Sequence, residues 1–412
     1  MPRAVVVGAG LAGLAAADAL RAAGIEVAVF EARDRVGGRV WSVPFAGTVV
    51  ERGAEFILPE NTAVESLAAR FALPLVRKGT PYGRRAPRGE EAVPQAELEA
   101  VFDRIAAGEP ATATATVGEA IEALRLEPRM AALIRARLEV SMGHPADDLR
   151  SEVLAEGAAT FGDFDSFTVK GGNGELARAL AGELGAAIQL SSPVRRVRWG
   201  DRGVTVGSDA GELDADAAVI AVPTAPLKEI DFEPSLRGPT ADALDAVRYG
   251  QNAKLFVALR APAPPSAIIS VRSRFWSYTQ LDSRGEPAPF VTAYAGTTGA
   301  VDALTESREA GWIEQLAALR PELELNPEAA LLSTWHDDPW VRGSYSARAV
   351  SSPLRDRELA TPIGPLYFAG EHTAGDWHGL MEGALRSGQR AARQLLEASA
   401  SWNRRSGFQH SG

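Results

Sequence analysis

A glycine-rich segment near the amino terminus has the spacing of a phosphate-binding turn. Glycines stand at positions 8, 10 and 13, between the apolar strand pattern of residues 4–7 and the Ala/Leu-rich helix pattern of residues 11–23. In such a turn the first glycine permits a sharp bend, the second lets the backbone approach a pyrophosphate, and the third lets the helix pack on the strand. The helix amino terminus then faces the phosphates with its partial positive charge. The pattern predicts dinucleotide binding through Gly8, Ala9, Gly10, Leu11 and Gly13.

A carboxylate follows at the distance expected for a ribose contact. Glu31 ends the next strand pattern, residues 25–30. A carboxylate at this point can accept hydrogen bonds from both ribose hydroxyls, and it would repel a 2′-phosphate. The sequence therefore disfavours NADP as the cofactor.

A second glycine turn favours FAD over NAD as the cofactor. Residues 31–39 read EARDRVGGR, so Arg39 directly follows paired glycines. The backbone donors of this turn and its fixed cation could contact the same pyrophosphate. The pattern resembles that of the flavin amine oxidase family, which includes monoamine oxidases, polyamine oxidases and L-amino-acid oxidases. The resemblance implies FAD, with contacts from Glu31, Ala32, Arg33, Gly38 and Arg39.

Later segments extend the resemblance over residues 4 to about 395. Residues 51–56 (ERGAEF) are similar to the family segment that runs under the isoalloxazine ring, and residues 193–194 to the strand start that holds the adenine. Residues 170–174 (KGGNG) resemble the turn before a helix at the domain crossover, and residues 367–384 resemble the carboxy-terminal flavin motif. The resemblance implies further cofactor contacts from Gly53, Ala54, Glu55, Phe56, Val194, Trp335, Gly370, Glu371, Leu380 and Met381.

Lys254 is the principal candidate for a catalytic side chain. It lies in residues 251–259 (QNAKLFVAL), a pattern that predicts a half-buried strand. Lysine is rare here, with four among 43 Lys and Arg residues. A buried lysine can lose its proton, whereas arginine cannot. The resemblance places Lys254 where the family keeps a lysine that holds a water against flavin N5, which implies a role in flavin reoxidation by dioxygen.

An aromatic segment supplies the other candidates. Residues 335–345 (WHDDPWVRGSY) resemble the segment that faces the flavin ring, which implies catalytic-site roles for Trp335 and Tyr345. Tyr345 matches one wall of the family's aromatic cage, and the opposite wall falls on Leu380. Ser344 stands where animal monoamine oxidases have the cysteine that bonds the flavin, and the chain has no cysteine, so we expect non-covalent FAD. The predicted substrate contacts are Tyr345, Leu380 and the carboxylate of Glu55.

The reaction implied by the resemblance is the oxidation of an amine. A neutral amine would pass a hydride from its α C–H to flavin N5, giving an imine that hydrolyses, and dioxygen would reoxidise the flavin to yield hydrogen peroxide. Orientation and exclusion of water would be the protein's main contributions. A desaturase or dehydrogenase of the phytoene desaturase or protoporphyrinogen oxidase type is one alternative, and a non-catalytic FAD-binding protein is another. L-amino-acid oxidation also stays open, although no arginine is evident for the α-carboxylate.

The order of predicted elements indicates an α/β protein. The resemblance specifies a Rossmann-type FAD-binding domain of the glutathione-reductase-like, amine oxidase type, with a second α+β substrate domain. We expect a discontinuous FAD-binding domain at 1–76, 171–232 and 337–400. The substrate domain would comprise 77–170 and 233–336, with a linker or hairpin at 77–94 and a flexible tail at 401–412.

Composition narrows the possible partners. The net charge of −10 argues against a nucleic-acid partner, which would need a clustered basic surface. No H-x-x-x-H spacing occurs, so no metal site is expected. The sequence has no run of about 18 apolar residues and no signal-peptide pattern, which predicts a cytoplasmic protein without a membrane span. We expect a monomer or a homodimer that binds a small amine and dioxygen.

Overall fold

A computed structural model describes residues 3–110, 114–156, 164–209 and 211–406. The strands are β1 (Arg3–Val7), β2 (Glu26–Phe30), β3 (Ser42–Phe45), β4 (Thr48–Glu51), β5 (Leu75–Arg77), β6 (Phe167–Val169), β7 (Ile188–Gln189), β8 (Val194–Gly200), β9 (Gly203–Ser208), β10 (Gly211–Ala215), β11 (Ala217–Ile220), β12 (Asp231–Glu233), β13 (Asn252–Leu259), β14 (Ser266–Ser270), β15 (Phe275–Thr279), β16 (Phe290–Gly296), β17 (Leu325–Thr334) and β18 (Leu366–Phe368). The helices are α1 (Leu11–Ala22), α2 (Thr62–Arg70), α3 (Gln95–Ala106), α4 (Val117–Ala123), α5 (Pro128–Met142), α6 (Glu152–Glu156), α7 (Gly174–Leu184), α8 (Thr224–Leu227), α9 (Pro239–Ala246), α10 (Thr298–Thr305), α11 (Glu309–Leu319), α12 (Asp356–Leu359) and α13 (Met381–Ser406).

A five-stranded parallel sheet carries the predicted cofactor motifs. Its order is β18-β11-β1-β2-β7, and every pairing is parallel. Helices α1 and α13 pack on it through Ala- and Leu-rich faces. The strands come from three separate stretches of the chain, and the predicted α/β class is confirmed.

A second sheet has five antiparallel strands in the order β14-β15-β16-β13-β17. Its strand β13, which lies between β16 and β17, was predicted to be half-buried, and that prediction is wrong because all eight residues are buried. Ala253, Leu255 and Val257 pack against α10 and α11, whereas Phe256 packs with Val50 of β4. The hydrophobic alternation was read as a core face and a solvent face, but both faces of this strand are covered.

Two further predictions need correction. The segment 77–94, predicted as a linker or hairpin, contains the fully buried Arg85 and the nearly fully buried Lys78, so it is part of the packed structure. The predicted tail at 401–412 overlaps α13, which runs to Ser406; no proline or glycine occurs in it after Gly388. The rest of that tail, 407–412, lies outside the described residues. No helix in the described ranges has the length and apolar composition that a membrane crossing requires.

Candidate active site

A single cavity of about 480 Å³ extends from the first glycine turn to the antiparallel sheet. Its size is typical of a ligand site. It brings together side chains and backbone from nearly every predicted motif. The predicted site residues that line it are Gly8, Gly10, Leu11, Glu31, Ala32, Arg33, Gly38, Arg39, Gly53, Ala54, Glu55, Phe56, Val194, Lys254, Trp335, Tyr345, Gly370, Glu371, Leu380 and Met381.

The glycine turn leaves open space where a pyrophosphate would lie. A Cβ placed on Gly10 would meet no atom within 4 Å, although Gly10 lines the cavity and precedes the amino terminus of α1. Gly8 has a φ of +103°, a value that favours glycine. A Cβ on Gly13 would lie 1.9 Å from the carbonyl oxygen of Gly8, so this glycine lets the helix pack on the turn instead of lining the cavity. The turn therefore fits a dinucleotide phosphate.

Glu31 fixes the same turn from the end of β2. Its carboxylate accepts hydrogen bonds from the backbone N–H of Ala9 at 2.7 Å and of Arg33 at 2.9 Å. Burial raises the pKa of Glu31, partly offset by these two hydrogen bonds. Ala9 thus contributes to the site by holding the carboxylate of Glu31. The remaining lone pairs of that carboxylate are available to ribose hydroxyls.

The predicted phosphate cation Arg39 is held by an ion pair. Its Nη1 lies 2.7 Å from Glu371 Oε1 and donates to the carbonyl oxygen of Ser344 at 2.8 Å. Burial alone would raise the pKa of Glu371, but the charges of Arg39 and His372 and the hydrogen bond from Ser346 lower it to about 2. Arg33 is likewise paired with Asp338. Both arginines are therefore fixed at the cavity wall.

Backbone lies close to the space predicted for the flavin ring. A Cβ on Gly53 would lie 1.8 Å from the carbonyl oxygen of Arg39 and 3.2 Å from the Trp335 ring. The Trp335 indole N–H donates to the carbonyl oxygen of Arg52 at 3.0 Å. Because any side chain at position 53 would collide, this segment has the close-packed backbone that an isoalloxazine platform needs.

A buried cluster of charges surrounds Glu55. Its Oε2 lies 2.6 Å from Lys254 Nζ and accepts from the Tyr278 hydroxyl at 2.7 Å, while its Oε1 lies 2.9 Å from Lys78 Nζ. Burial would raise the pKa of Glu55, but Lys254 and Lys78 lower it to about 2. The carboxylate predicted to attract an amine is thus already neutralised by two lysines.

Lys254 itself has three acceptors, one for each N–H of an ammonium group. They are the carbonyl oxygens of Glu51 and Gly53 at 3.0 and 2.8 Å, and the carboxylate of Glu55. The side chain still lines the cavity at the segment that would run under the flavin.

An aromatic pair lies beside this cluster, because Tyr294 on β16 is the register partner of Lys254 on β13. Tyr294 and Tyr345 join their hydroxyls at 2.8 Å, and the Tyr345 hydroxyl also donates to the carbonyl oxygen of Ser141. Both hydroxyl protons are therefore used within the protein. Burial raises the pKa of Tyr294 and Tyr345, so both stay neutral.

Ser344 is buried and offers no group able to bond the flavin. Its Oγ lies 2.7 Å from the carbonyl oxygen of Gly250 and 2.6 Å from Asn252 Oδ1. The chain contains no cysteine, so a thioether to the cofactor is impossible.

Several lining residues were missed from the sequence. Trp276 and Tyr278 lie on β15, a strand that was not predicted although FWSYT has the aromatic and β-branched residues typical of one. The others lie on elements that no motif marked. The missed residues that line the cavity or contact its charges are Lys78, Tyr82, Ser141, Trp276, Tyr278 and Tyr294.

The parallel sheet, its glycine turns and the joined cavity define an FAD-dependent oxidoreductase. The chain belongs to the flavin-containing amine oxidoreductase family, whose model matches residues 11–155 and 148–396.

Individual relatives are similar over nearly their whole length. Putrescine oxidase of Kocuria rosea is 29% identical over 95% of that protein and 96% of this chain. A Mycobacterium tuberculosis protein named flavin-containing monoamine oxidase AofH is also 29% identical, over 96% of that protein and 95% of this chain. Among solved structures, putrescine oxidase bound to putrescine superposes with a TM-score of 0.82 at 25% identity over 99% of its chain and 96% of this one. Cyclohexylamine oxidase of Brevibacterium oxydans has the same fold, with a TM-score of 0.82 at 20% identity over 99% of its chain and 97% of this one.

Proposed function

We propose that this enzyme oxidises an amine R–CH₂–NH₂ with dioxygen and water to an aldehyde, ammonia and hydrogen peroxide. The observation that carries the proposal is the continuity of the cavity. It joins the glycine turn that fits a dinucleotide phosphate to a chamber lined by Lys254, Tyr294 and Tyr345. FAD bound there would supply a two-electron acceptor for the C–H bond beside the amine nitrogen.

The chain's own residues would bind and orient the substrate. Tyr345 and Tyr294 form one wall and Leu380 contributes apolar surface, so the carbon chain of an amine would be held away from water. Because Glu55 is neutralised by Lys254 and Lys78, no free carboxylate of this cluster would hold the amine as an ammonium ion. We infer that the reactive form is the neutral amine.

The alternatives differ in substrate. The named relatives include an L-amino acid dehydrogenase of Synechocystis at 26% identity, which keeps amino-acid oxidation open. A desaturase of the phytoene desaturase type has less support, since the family match is to amine oxidoreductases. We also propose that the FAD-binding domain comprises 1–76, 171–232 and 337–400 and the substrate domain 77–170 and 233–336. The cytoplasmic location and the monomeric or homodimeric state remain predictions from the sequence.

The test is anaerobic reduction of the bound flavin by a panel of primary amines, diamines and L-amino acids, followed by a peroxide assay in air. We expect amines to bleach the flavin absorbance under anaerobic conditions. In air, we expect one molecule of hydrogen peroxide for each molecule of amine oxidised. Bleaching by L-amino acids alone would favour the amino-acid alternative. If no amine or amino acid reduces the flavin, amine oxidation is not the function.

A further inference from the structure

Arg85 is a buried cation without a carboxylate partner in the described ranges. Its side chain is 0% exposed, and its guanidinium carbon lies 3.9 Å from the centroid of the Tyr82 ring and 5.3 Å from that of Trp276. Nη2 donates to Ser141 Oγ at 2.8 Å, whereas Nε and Nη1 have no partner among the described residues. Buried charges are normally paired, so an uncompensated one next to a substrate cavity calls for an explanation.

Arg85 reaches the cavity through two hydroxyl groups. Ser141 and Tyr82 both line the cavity, and their hydroxyl oxygens lie 2.9 Å apart. Since Arg85 donates to Ser141, the serine oxygen acts as an acceptor in this contact. The two hydroxyls together carry two protons, and only one is used between them. The other proton has no acceptor within the described part of the chain, so the pair presents a donor to the cavity with a buried cation behind it.

This donor lies away from the end predicted for the flavin. Lys254, Tyr294 and Trp276 are register partners on the adjacent strands β13, β16 and β15, and all three line the cavity. Adjacent strands are about 4.8 Å apart, so Trp276 is about 10 Å from Lys254 across the sheet. The Tyr82 ring lies 5.1 Å from the Trp276 ring, and Arg85 lies 5.3 Å from the same ring. We therefore place the hydroxyl pair on the Trp276 side of the chamber and call this side, remote from Lys254, the distal end.

The charges around the chamber also favour an anionic group on the substrate. Lys78 and Lys254 share the carboxylate of Glu55. With the nearby Glu51 in its neutral form, which burial favours by raising its pKa, the group has a formal charge of +1 when both lysines are protonated. Arg85 adds a second positive charge. A second ammonium group on the substrate would therefore be repelled, whereas an anion would be attracted.

We propose that the distal end of the chamber, formed by Tyr82 and Ser141 with Arg85 behind them, selects amines that carry a carboxylate or a similar anionic acceptor at the end remote from the amine. This inference rests on the proposed amine oxidation and adds the substrate class. It separates this chain from a diamine oxidase, despite its similarity to putrescine oxidase.

The experiment uses four six-carbon amines with the FAD-loaded enzyme. In 6-aminohexanoate, hexylamine and 1,6-diaminohexane the reacting end is the same and the distal end is anionic, apolar or cationic. L-norleucine has its carboxylate beside the reacting carbon. Stopped-flow flavin absorbance under anaerobic conditions gives the limiting rate and the dissociation constant for each. We compare substrates by the limiting rate divided by the dissociation constant. This ratio should be at least about tenfold higher for 6-aminohexanoate than for hexylamine, and lower for 1,6-diaminohexane than for hexylamine.

Variants then assign the preference to Arg85. Arg85→Gln retains an amide donor for Ser141 but removes the charge, and we expect the preference for 6-aminohexanoate over 1,6-diaminohexane to fall at least about tenfold. Arg88→Gln is the matched control, because Arg88 is three residues away, half exposed and paired with Glu322. Tyr82→Phe with Ser141→Ala removes both hydroxyls and should abolish the preference for 6-aminohexanoate over hexylamine, whereas each single change leaves one donor. A general loss of folding would affect hexylamine as much as the charged amines.

Binding of hexanoate separates this inference from the proposed function. Hexanoate has no amine to oxidise, and isothermal calorimetry measures its affinity directly. Tight binding to the wild type that weakens at least about tenfold in Arg85→Gln supports the anion site even if none of the amines reduces the flavin. Equal binding to both proteins, a preference for 1,6-diaminohexane, or L-norleucine exceeding 6-aminohexanoate would each overturn it.

Discussion

Lys254 Nζ and Glu55 Oε2 lie 2.6 Å apart, in a buried ion pair that joins the antiparallel sheet to the segment predicted to run under the flavin. The other oxygen of Glu55 is held by Lys78 from the stretch that follows β5. One carboxylate thus ties three distant parts of the chain together at the centre of the candidate site. Glu55 therefore helps to hold both lysines, and Lys254 is also held by the carbonyl oxygens of Glu51 and Gly53.

Replacing Glu55 by glutamine should destabilise the protein strongly. The amide keeps the shape but leaves Lys78 and Lys254 as buried cations without a carboxylate, and removing one partner of a buried pair typically costs about 3–5 kcal/mol. We expect urea denaturation to show a loss of that order for Glu55→Gln. The double variant Glu55→Gln with Lys78→Met should recover part of it, because one uncompensated cation is gone.

Glu60→Gln is the control for this experiment. Glu60 is exposed, so its substitution should change the free energy of unfolding by no more than about 0.5 kcal/mol. Equal effects of the two glutamine variants would mean that the charges around Glu55 are solvated in solution.

The affinity for FAD should depend on Glu31. Glu31→Gln removes the negative charge that accepts from Ala9 and would accept from the ribose, and hydrogen bonds to a charged group contribute about 1.5–3 kcal/mol each. We expect the dissociation constant for FAD to rise at least about tenfold, measured by fluorescence titration of the FAD-free protein. Asp34→Asn, an exposed change in the same loop, should leave it unchanged. An unchanged affinity in Glu31→Gln would show that this strand end does not hold the ribose.

The cofactor should be released intact on denaturation. Ser344 has no thiol, and the chain has no cysteine to replace it. Acid precipitation of the yellow protein should leave FAD in the supernatant, identified by its mass. Flavin that remains with the precipitated polypeptide would contradict non-covalent binding.

The glycine turns could be predicted because they depend on local sequence. Gly8, Gly10 and Glu31 occupy positions that backbone geometry demands, and the structure shows them at the cavity as expected. The chamber wall was harder to predict. Lys78 and Arg85 lie in a stretch rich in Arg, Gly and Pro that has the composition of a loop. Their burial involves contacts with other parts of the chain, since Lys78 pairs with Glu55 and Arg85 donates to Ser141, 56 positions away.

Lys254 also shows that long-range contacts could not be predicted from the sequence. Its role as a buried lysine was suggested by its rarity and by the family resemblance. Its ion pair with Glu55, however, crosses 199 positions of the chain, and no periodicity in the sequence reports such a contact. The sequence therefore predicted which residues line the site better than it predicted how their charges are balanced.

His372 should make the protein sensitive to mild acid. Burial lowers its pKa to about 4, and its Nδ1 lies 3.0 Å from the Tyr249 hydroxyl. Between about pH 6.5 and 4 the unfolded chain binds a proton that the folded protein does not, so the free energy of unfolding falls as the pH falls through this window. In His372→Gln we expect a shallower fall there by urea denaturation at fixed salt.

The pH range below about 4.5 provides the internal control. The pKa values of Glu55 and Glu371 are lowered to about 2, so their stabilisation is lost as the pH falls from about 4.5 towards 2. That second decline should persist in His372→Gln. An unchanged slope above pH 4 would show that His372 titrates normally in the folded protein.

Lys254 should matter more for the reaction with dioxygen than for the reaction with the amine. Hydride removal from the amine requires no proton from a lysine, whereas reduction of dioxygen builds negative charge that a nearby cation stabilises. Lys254→Met retains the length and apolar bulk but removes that cation. We expect anaerobic reduction of the flavin to change modestly and reoxidation to slow at least about tenfold, equivalent to about 1.4 kcal/mol of barrier. Stopped-flow absorbance measures both half-reactions.

Two other lysines make this test specific. Lys78→Met removes an equal charge from the same cluster but leaves Lys254 paired with Glu55, so a smaller effect on reoxidation is expected. Lys228→Met removes an exposed lysine paired with Asp245 and should change neither half-reaction. If Lys254→Met reoxidises as fast as the wild type, the ammonium group does not assist dioxygen and its role is to hold Glu55 in place. An effect as large in Lys78→Met would instead assign the rate to the total charge of the cluster, because only Lys254 lines the cavity.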